Sequence, residues 1–481
     1  MKFQIVGYAL GILITIVGLA EMAPAMVDWR DGHENAWAFF FNGIVCVFFG
    51  GSLILSNRGA DFRMTLRQAF LLTASLWGVI GVFCALPLYM SDLNLTYVDA
   101  FFEAVSGITT TGATVLTGLD GMSAGVLLWR SMMQWAGGLG IIVFAIVFLP
   151  YLKVGGMQIF HSEESGTSEK VMPRTNEVVG SLFKVYLLIT GVCAAVYLFL
   201  GMGWFDALNH AFTTVSTGGF STHDASFQFF ESAALEYAAI FFMILAALPF
   251  LLYVRMFFQG RFLFLRDEQV RAFFVMLIVS IAVLSLWLFF YADRPEGDGF
   301  RAVLFSVVSI LTTTGFVTVD YTLWGGFALL GFLLLSYTGA CAGSTAGGAK
   351  MMRVVIAGKV VARQFKILLY PSGVFVLNYQ GRRLDNNIIL AVLGFLSLYV
   401  MTNVAVTILL SLTGLDFETS LSAAASALAN IGPGVGGMVG PMGHYGDLSS
   451  AAKWILCAGM IIGRLEILTI LVLMSPAYWR P

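Results

Sequence analysis

The sequence predicts an all-α polytopic membrane protein, in which four repeats surround a pseudo-fourfold axis and a two-helix hairpin precedes them. Of the 481 residues, 58% are hydrophobic and only 11% are charged, far from the composition of a soluble domain. A short motif that ends in glycine returns four times, about a hundred residues apart. The apolar stretches between these motifs are long enough to cross a bilayer, which takes about 20 helical residues.

The apolar stretches define ten predicted membrane spans. Residues 3–26 and 34–56 form the N-terminal hairpin. The first of them resembles a cleaved signal peptide in having Lys2 ahead of it, but its length and the lack of a small-residue cleavage site favour a retained helix. The other eight spans pair around the motifs, at residues 68–90 and 124–150, 180–202 and 233–257, 271–291 and 323–352, and 387–412 and 451–475. The predicted units are residues 1–60 for the hairpin and 61–178, 179–267, 268–384 and 385–481 for the repeats.

The recurring motif combines a short potential helix with hydroxyl or amide residues and a glycine. Its copies are Phe101–Gly118, Ala211–Thr222, Phe305–Thr318 and Ala423–Gly434, with the shared glycine placed at Gly112, Gly218, Gly315 and Gly432. Glycine tolerates positive φ, which lets several backbone carbonyls point in one direction. Rings of carbonyls can replace the hydration shell of a cation, and the C-terminus of a helix adds partial negative charge. The motifs therefore predict a cation filter.

Fifteen residues are candidate filter residues. They are Thr110, Thr111, Gly112 and Ala113 in the first loop, Thr217, Gly218 and Gly219 in the second, Thr313, Thr314, Gly315 and Phe316 in the third, and Asn430, Ile431, Gly432 and Pro433 in the fourth. A single glycine after threonine usually just ends a helix. Four of them, each between two spans, favour a filter, although the fourth loop departs from the other three.

A second glycine-rich segment lies within the predicted span 323–352. Its candidate gate residues are Gly339, Gly343, Ser344, Thr345, Gly347 and Gly348. So many glycine and hydroxyl residues disfavour a continuous helix, and irregular backbone at membrane depth has to be buried or line a cavity. We expect a flexible loop that obstructs the path below the filter, with a close-packed helix of small residues as the alternative.

Two arginines fall in apolar helices. Arg464 lies deep in the last span, where an ionised side chain is costly and usually functional, and we expect it to line the pore and act with the gate segment. A structural ion pair is the alternative, but Glu466 is a poor partner because residues two apart do not face each other on a helix. Arg130 is expected to snorkel or to cap a pore-loop carbonyl.

The charges predict the orientation. Alternate connections are rich in Lys and Arg, among them Arg58 and Arg67 and the basic segment 350–383, whereas the others carry mostly acidic residues. By the positive-inside rule the basic connections and both termini are cytoplasmic, so all four filter loops face outward. Residues 370–383 predict a small hairpin around Pro371-Ser372-Gly373, which would be either a docking surface for a cytosolic partner or a loop without one.

Further motifs carry a family resemblance. They are Trp129–Gly140 (WRSMMQWAGGLG), Val154–Phe160 (VGGMQIF), Gly339–Lys350 (GACAGSTAGGAK) and Gly463–Ile467 (GRLEI). With the four loops, in this order, the chain resembles the TrkH/KtrB/HKT superfamily of potassium transporters, and its N-terminal hairpin favours the TrkH type. The resemblance implies four fused membrane–pore loop–membrane units around one pore and gated, channel-like potassium uptake. Because plant HKT relatives that carry sodium have serine in place of the first-loop glycine, Gly112 implies potassium.

The resemblance also implies the location, the oligomeric state and the partner of the protein. They are the lipid bilayer of the bacterial inner membrane, a homodimer, and a cytosolic TrkA-type nucleotide-binding ring as regulatory partner. K⁺ is implied as the transported ion, with no organic cofactor in this chain.

Other function classes find less support in the sequence. A proton- or sodium-coupled potassium symporter on the same scaffold remains the alternative, although Glu21, Glu103 and Glu466 are nearly the only acidic groups in the spans. A voltage-gated channel needs arginine at every third position of one helix, and an organic-solute transporter needs a midplane pocket between paired broken helices. The net charge of −2 disfavours nucleic acid as a partner, and no catalytic constellation points to an enzyme.

Overall fold

The computed structural model describes residues 3–59, 65–148, 171–291 and 299–480. The motif at 154–160 and the polar run at 161–170 lie outside these ranges. The N-terminal hairpin consists of α1 (Gln4–Ala20), α2 (Met22–Arg30) and α3 (Asn35–Ser56). Its two arms touch backbone to backbone, because a Cβ atom on Gly11, Gly18, Gly43 or Gly50 would lie under 3.0 Å from a carbonyl oxygen of the facing glycine. Such small-residue contacts are how helices associate in lipid.

Buried polar groups hold the hairpin together and fix it to the first repeat. The Asn42 amide donates to both carboxylate oxygens of Glu21 at 2.8 and 2.9 Å. Asp28 accepts the backbone N–H of Gly125 at 2.6 Å and the hydroxyl of Ser123 at 3.1 Å. The hairpin therefore packs against the repeat units as one body with them.

Each predicted repeat supplies a first helix, a short central helix and a second helix. In chain order they are α4 (Leu66–Met90), α5 (Tyr97–Ile108) and α6 (Ala124–Val143); α7 (Val171–Phe199), α8 (Trp204–Val215) and α9 (Ala233–Ala247) followed by α10 (Phe250–Gln259); α11 (Glu268–Tyr291), α12 (Gly299–Leu311) and α13 (Gly326–Thr338) followed by α14 (Met351–Leu369); and α15 (Asn386–Ser411), α16 (Phe417–Ala429) and α17 (Ser450–Arg464) followed by α18 (Ile467–Met474) and α19 (Pro476–Trp479). Each of the ten predicted spans contains helix in the described ranges, although not all of them are continuous.

Two of the predicted spans are not continuous helices, so the prediction was wrong there. Residues 233–257 bend by 89° between α9 and α10, and residues 451–475 bend by 110° between α17 and α18. Pro249 lies at the first break and cannot donate the backbone bond that a continuing helix needs. Glu466, with φ of 62°, lies at the second. The expected interruption of the span at 323–352 is confirmed, because residues 339–350 separate α13 from α14.

The predicted hairpin at 370–383 is present, but its turn is elsewhere. Strands β1 (Asn378–Tyr379) and β2 (Arg382–Arg383) pair antiparallel. The turn is formed by Gln380 and Gly381, both at positive φ, as a tight two-residue hairpin loop requires, and not by residues 371–373. Gln380 anchors it to the start of α11, donating to Glu268 at 2.9 Å and to Asp267 at 3.0 Å.

The four central helices occupy the most buried part of the molecule. Every residue of α5 from Ala100 to Ile108 is buried, and so is every residue of α12 from Phe305 to Leu311. The long helices around them expose large apolar side chains, for example Phe289 at 82% and Val275 at 61%. This inverted distribution, with polar loops inside and apolar side chains outside, suits a lipid environment.

Candidate functional site

The four central helices end in the same turn. Thr110, Thr217, Thr313 and Asn430 all have φ between 50° and 57°. The N–H of each donates to the carbonyl three residues back, and the N–H of the next residue donates to the carbonyl five back. This is the Schellman arrangement, in which the left-handed residue is usually glycine. Threonine or asparagine in this left-handed conformation carries some backbone strain, and it places a hydroxyl or amide group at the helix end.

The glycine of each loop follows two residues after the left-handed residue. Gly112, Gly219, Gly315 and Gly432 have φ of 83°, 80°, 81° and 104°. In the second loop the equivalent residue is therefore Gly219, and the alignment on Gly218 was one residue off. Gly218 corresponds instead to Thr111, Thr314 and Ile431. Thr217-Gly218-Gly219 contains two glycines, and only the backbone geometry separates their roles.

These glycines close a ring of the four loops. A Cβ atom built on each glycine would lie under 3.0 Å from one carbonyl oxygen of the next loop, so no side chain fits. The pairs are Gly112 with Gly218, Gly219 with Thr314, Gly315 with Ile431, and Gly432 with Thr111. The order runs from the first loop to the fourth and back to the first. The predicted filter residues are thus brought together around one centre, with Pro433 contacting Gly315 and with Ala113 and Phe316 buried beside the ring.

A buried ion pair joins the first and second loops. Arg130 of α6 lies 2.8 Å from Glu103 of α5, and both side chains are at most 1% exposed. Glu103 accepts the N–H of Val115 at 3.0 Å, and Arg130 donates to the carbonyl of Ser221 at 2.9 Å. Arg130 therefore caps a pore-loop carbonyl, as one of its two predicted roles stated, and does not snorkel.

Gln134 of α6 holds the second loop at two points, and the sequence analysis missed it. Its Nε2 donates to the carbonyl of Gly218 at 2.6 Å, and its Oε1 accepts the N–H of Phe220 at 3.0 Å. The side chain is fully buried. The available signal was a glutamine in the middle of an apolar span, since an amide there is costly unless it is bonded. Gln134 fixes the direction of one of the four ring carbonyls.

Replacing Gln134 with leucine is expected to weaken ion discrimination more than stability. The substitution removes both hydrogen bonds at similar volume, each worth about 1 kcal/mol net, and releases the Gly218 carbonyl. We expect competition by sodium in a rubidium flux assay to rise severalfold while thermal unfolding shifts by only a few degrees. Gln228→Leu, at an exposed glutamine of the rim, serves as control. An unchanged sodium competition for Gln134→Leu would contradict this role.

The fourth loop is tied to the first by Asn430. Its Nδ2 donates to the Thr111 hydroxyl at 2.9 Å and to the carbonyl of Met460 at 3.0 Å. The carbonyl of Gly432 accepts the hydroxyls of Ser426 and Tyr445, both at 2.8 Å. Side-chain hydrogen bonds thus hold the fourth loop in place, which is the loop that lacks threonine.

The segment 339–350 lies directly against these helix ends. The N–H of Gly347 donates to the Thr313 hydroxyl at 2.7 Å, and Gly347 also packs on the carbonyl of Ala429. Residues Gly339, Gly343, Ser344, Thr345 and Gly348 complete the segment, and Ser344 and Thr345 are fully buried.

The break between α9 and α10 supplies partners for this segment. The Thr345 hydroxyl donates to the carbonyl of Ala246 at 3.2 Å, and the N–H of Cys341 donates to that of Ala247. The N–H of Phe250 donates back to the carbonyl of Gly343 at 2.9 Å. Two interrupted spans therefore satisfy each other's free backbone groups, which permits irregular structure at this depth.

Arg464 ends α17 at the second break. It is 4% exposed, and none of its three guanidinium nitrogens has a hydrogen-bond partner within the described ranges. Glu466 pairs instead with Arg353 at 2.5 Å, so the expectation that it does not pair with Arg464 is confirmed. Arg464 interacts electrostatically with Lys350, whose ammonium donates to the carbonyl of Ala346. Two basic residues thus interact here, Lys350 within the segment 339–350 and Arg464 outside it.

The same arrangement of loops and helices occurs in known proteins. A family model described as TrkH, cation transport protein, matches residues 35–480. The chain belongs to the TrkH family. The Trk system potassium uptake protein TrkI of Halomonas elongata is 44% identical over 98% of this chain and 96% of its own length. TrkH of Escherichia coli K12 is 36% identical over the full length of both chains. The crystal structure of the potassium transporter TrkH from Vibrio parahaemolyticus matches all of this chain with a TM-score of 0.92 at 35% identity.

The long apolar helices of this chain agree with its membership of the TrkH family. The described residues include seven helices long and apolar enough to cross a membrane, or nine if each bent pair is one span. The chain is therefore a helical membrane protein of the TrkH family. The roles of the predicted filter and gate residues are proposals.

In this TrkH-family chain, His223 links the first two loops. Its Nδ1 lies 2.5 Å from Asp120 and its Nε2 lies 3.5 Å from Asp206. The ring stacks on Phe229 with 3.4 Å between centroids. Burial lowers the pKa of His223, but the hydrogen bonds and charges of Asp206 and Asp120 outweigh it and raise the pKa above 6.5.

The raised pKa of His223 predicts a pH-dependent stability. The stabilisation is complete below about pH 6.5, the pKa in the unfolded chain, and is lost as pH rises through the higher folded value. The melting temperature of the solubilised protein should therefore fall between about pH 6 and pH 9, and His223→Gln should flatten this slope. His444→Gln, at a half-exposed pair 3.8 Å from Asp447, should leave the slope unchanged. Equal slopes for wild type and His223→Gln would refute the prediction.

Proposed function

We propose that this protein carries potassium into the cell by gated, channel-like conduction through the four-loop ring. The observation that carries the proposal is the closed cycle of glycine and carbonyl contacts among the loops. It brings four helix C-termini and four equivalent carbonyls to one centre, which is the chemistry a dehydrated cation requires. The names of the relatives, potassium uptake proteins of Trk systems, agree with it.

Two further oxygens support cation binding at this ring. Thr110 Oγ1 and Asn430 Oδ1 are buried and have no hydrogen-bond donor among the described residues. Such oxygens are costly unless something replaces water. A cation bound within reach would supply such a partner. The retention of Gly112, where sodium-carrying plant relatives have serine, supports potassium as the ion.

Passive conduction is favoured over symport by the state of the acidic groups. Glu103 is bonded to Arg130, and Glu466 is bonded to Arg353. Glu21 lies in the N-terminal hairpin, bonded to Asn42 and away from the ring. A coupling proton or sodium ion would have to displace an arginine from two of the three.

The proposed setting follows the family resemblance. We place the protein in the bacterial inner membrane with both termini cytoplasmic, as a homodimer with one pore per subunit. The basic face opposite the filter loops, with the hairpin 378–383, is the proposed docking surface for a cytosolic TrkA-type ring. Trk systems, after which the relatives are named, are consistent with several components.

Rubidium-86 uptake into proteoliposomes tests the proposal. Purified protein should carry rubidium down its own gradient without an imposed proton or sodium gradient, and potassium should compete far better than sodium or lithium. Uptake that occurs only under an imposed proton or sodium gradient would replace conduction with symport. Absence of uptake under every gradient would refute potassium transport by the isolated chain.

The proposed gate gives a prediction for Arg464. With Lys350 it forms a positive barrier below the ring, and one unit charge at about 10 Å contributes roughly 1.7 kcal/mol at an effective dielectric constant of 20. Arg464→Met should therefore raise rubidium flux about tenfold, whereas Arg464→Lys should stay near wild type. Equal flux for both variants would show that the charge is not a barrier.

A further inference from the structure

A narrow groove lies at the end of the molecule opposite the filter loops. It runs between the first turns of α4 and the C-terminal segment formed by α18 and α19. Its lining residues are Leu66, Arg67, Phe70, Val472, Ser475 and Tyr478. Apolar side chains dominate the lining, and Arg67, Ser475 and Tyr478 supply its polar groups.

The C-terminal segment is fixed against α4 by two hydrogen bonds. The Tyr478 hydroxyl donates to the backbone carbonyl of Arg67. The guanidinium of Arg67 donates to the carbonyl of Arg480 at 2.6 Å. The groove is therefore built by the fold, with Arg67 among its lining residues and the backbone of Arg480 held against the Arg67 guanidinium.

Within the described residues, the positive charge beside the groove has no acidic partner. Arg67 and Arg480 are both exposed, and neither pairs with an acidic side chain in the described part of the chain. One N–H of the Arg67 guanidinium donates to the Arg480 carbonyl, which leaves its other N–H groups to donate to an anion. Trp479, 54% exposed, directly precedes Arg480 and is a residue type typical of the headgroup level.

We propose that this groove binds one anionic phospholipid, with an acyl chain along Leu66, Phe70 and Val472 and its phosphate at Arg67 and Arg480. The hydroxyls of Ser475 and Tyr478 lie among the lining residues next to that phosphate position. Basic pockets between membrane helices on the cytoplasmic side are suited to such headgroups. A bound lipid would brace the start of α4 against the segment that follows the second helix break.

A second groove provides a contrast within the same molecule. It lies at the other end of α3 and α4 and is lined by aromatic residues, including Trp37, Phe40 and Phe41, together with Glu34 and Asp92. Its lining is also rich in apolar side chains, but its charged residues are acidic. Charge, and not shape alone, therefore distinguishes the groove at Arg67 as a site for an anionic headgroup.

Native mass spectrometry of the delipidated full chain tests the proposal. Dioleoyl phosphatidylglycerol and dioleoyl phosphatidylcholine share their acyl chains and differ in charge, so they are titrated in parallel. The variants are Arg67→Gln with Arg480→Gln, Arg67→Lys with Arg480→Lys, and a control, Arg261→Gln with Arg266→Gln, at two exposed arginines of the connection between α10 and α11.

We expect the tightest phosphatidylglycerol site to weaken about 25-fold in the first variant, since each basic residue near the headgroup contributes about fivefold. The lysine variant and the control should stay within about threefold of wild type, and inorganic phosphate should not displace the lipid. Equal affinity for the two lipids, an unchanged glutamine variant, or an equal loss in the control would overturn the proposal. Full displacement by inorganic phosphate would show a free-anion site instead. The lysine variant keeps the test decisive if the glutamine variant fails to fold.

Discussion

Replacing Gly112 with alanine lowers rubidium flux at least tenfold and reduces the discrimination between potassium and sodium. The new Cβ would lie under 3.0 Å from the Gly218 carbonyl oxygen, so the first and second loops must separate. The φ of 83° adds about 1–2 kcal/mol of backbone strain for any residue with a side chain. Both effects act on the ring itself. The measurement is rubidium-86 uptake with sodium as competitor.

Gly118 offers a matched control for this substitution. It has a similar φ of 77° and follows the same loop, but a Cβ built on it would meet nothing within 4 Å. Gly118→Ala should therefore carry the backbone strain alone and keep nearly normal flux and selectivity. Equal losses for the two variants would mean that strain, and not closure of the ring, sets the behaviour of Gly112.

Removing one partner of the pair Glu103–Arg130 is expected to destabilise the protein by about 3–5 kcal/mol. Both side chains are at most 1% exposed, so either single substitution leaves an uncompensated buried charge. Arg130→Met also frees the Ser221 carbonyl, which adds to the loss. Thermal unfolding in detergent measures the effect, and surviving protein should show reduced rubidium flux because two filter loops lose their common support.

The double substitution Glu103→Leu with Arg130→Met separates the two causes. It removes both charges, so its loss should be smaller than the sum of the two single losses. Asp447→Asn, at an exposed carboxylate whose ion pair within the described residues is with His444, should change the melting temperature little. Additive losses for Glu103 and Arg130 would contradict a direct ion pair.

The ring glycines could be predicted because their constraint is local. Each needs positive φ and close approach of another backbone, and glycine alone meets both, so the pattern survives in the sequence. The register of the second loop could not be predicted, because Gly218 and Gly219 are chemically identical and only their φ angles and neighbours differ. The irregular segment 339–350 could be predicted for the same reason, as a cluster of glycines inside an apolar stretch.

The angles of the helix breaks and the supports of the loops could not be predicted, for different reasons. Pro249 marks the first break and Arg464 with Glu466 mark the second, but such local signals do not give turns of 89° and 110°. Gln134 reaches Gly218 and Arg130 reaches Ser221 across more than eighty residues of sequence. Such contacts depend on which repeats become neighbours, and no local pattern encodes that.

Anomalous diffraction from crystals grown in rubidium tests the central claim most directly, because it locates the ion without any assay of transport. We predict a rubidium peak at the centre of the ring formed by Thr111, Gly218, Thr314 and Ile431, and its loss in Gly112→Ala but not in Gly118→Ala. A wild-type crystal with no peak at the ring, or with its main peak elsewhere in the chain, would contradict the claim that the four loops form the ion filter.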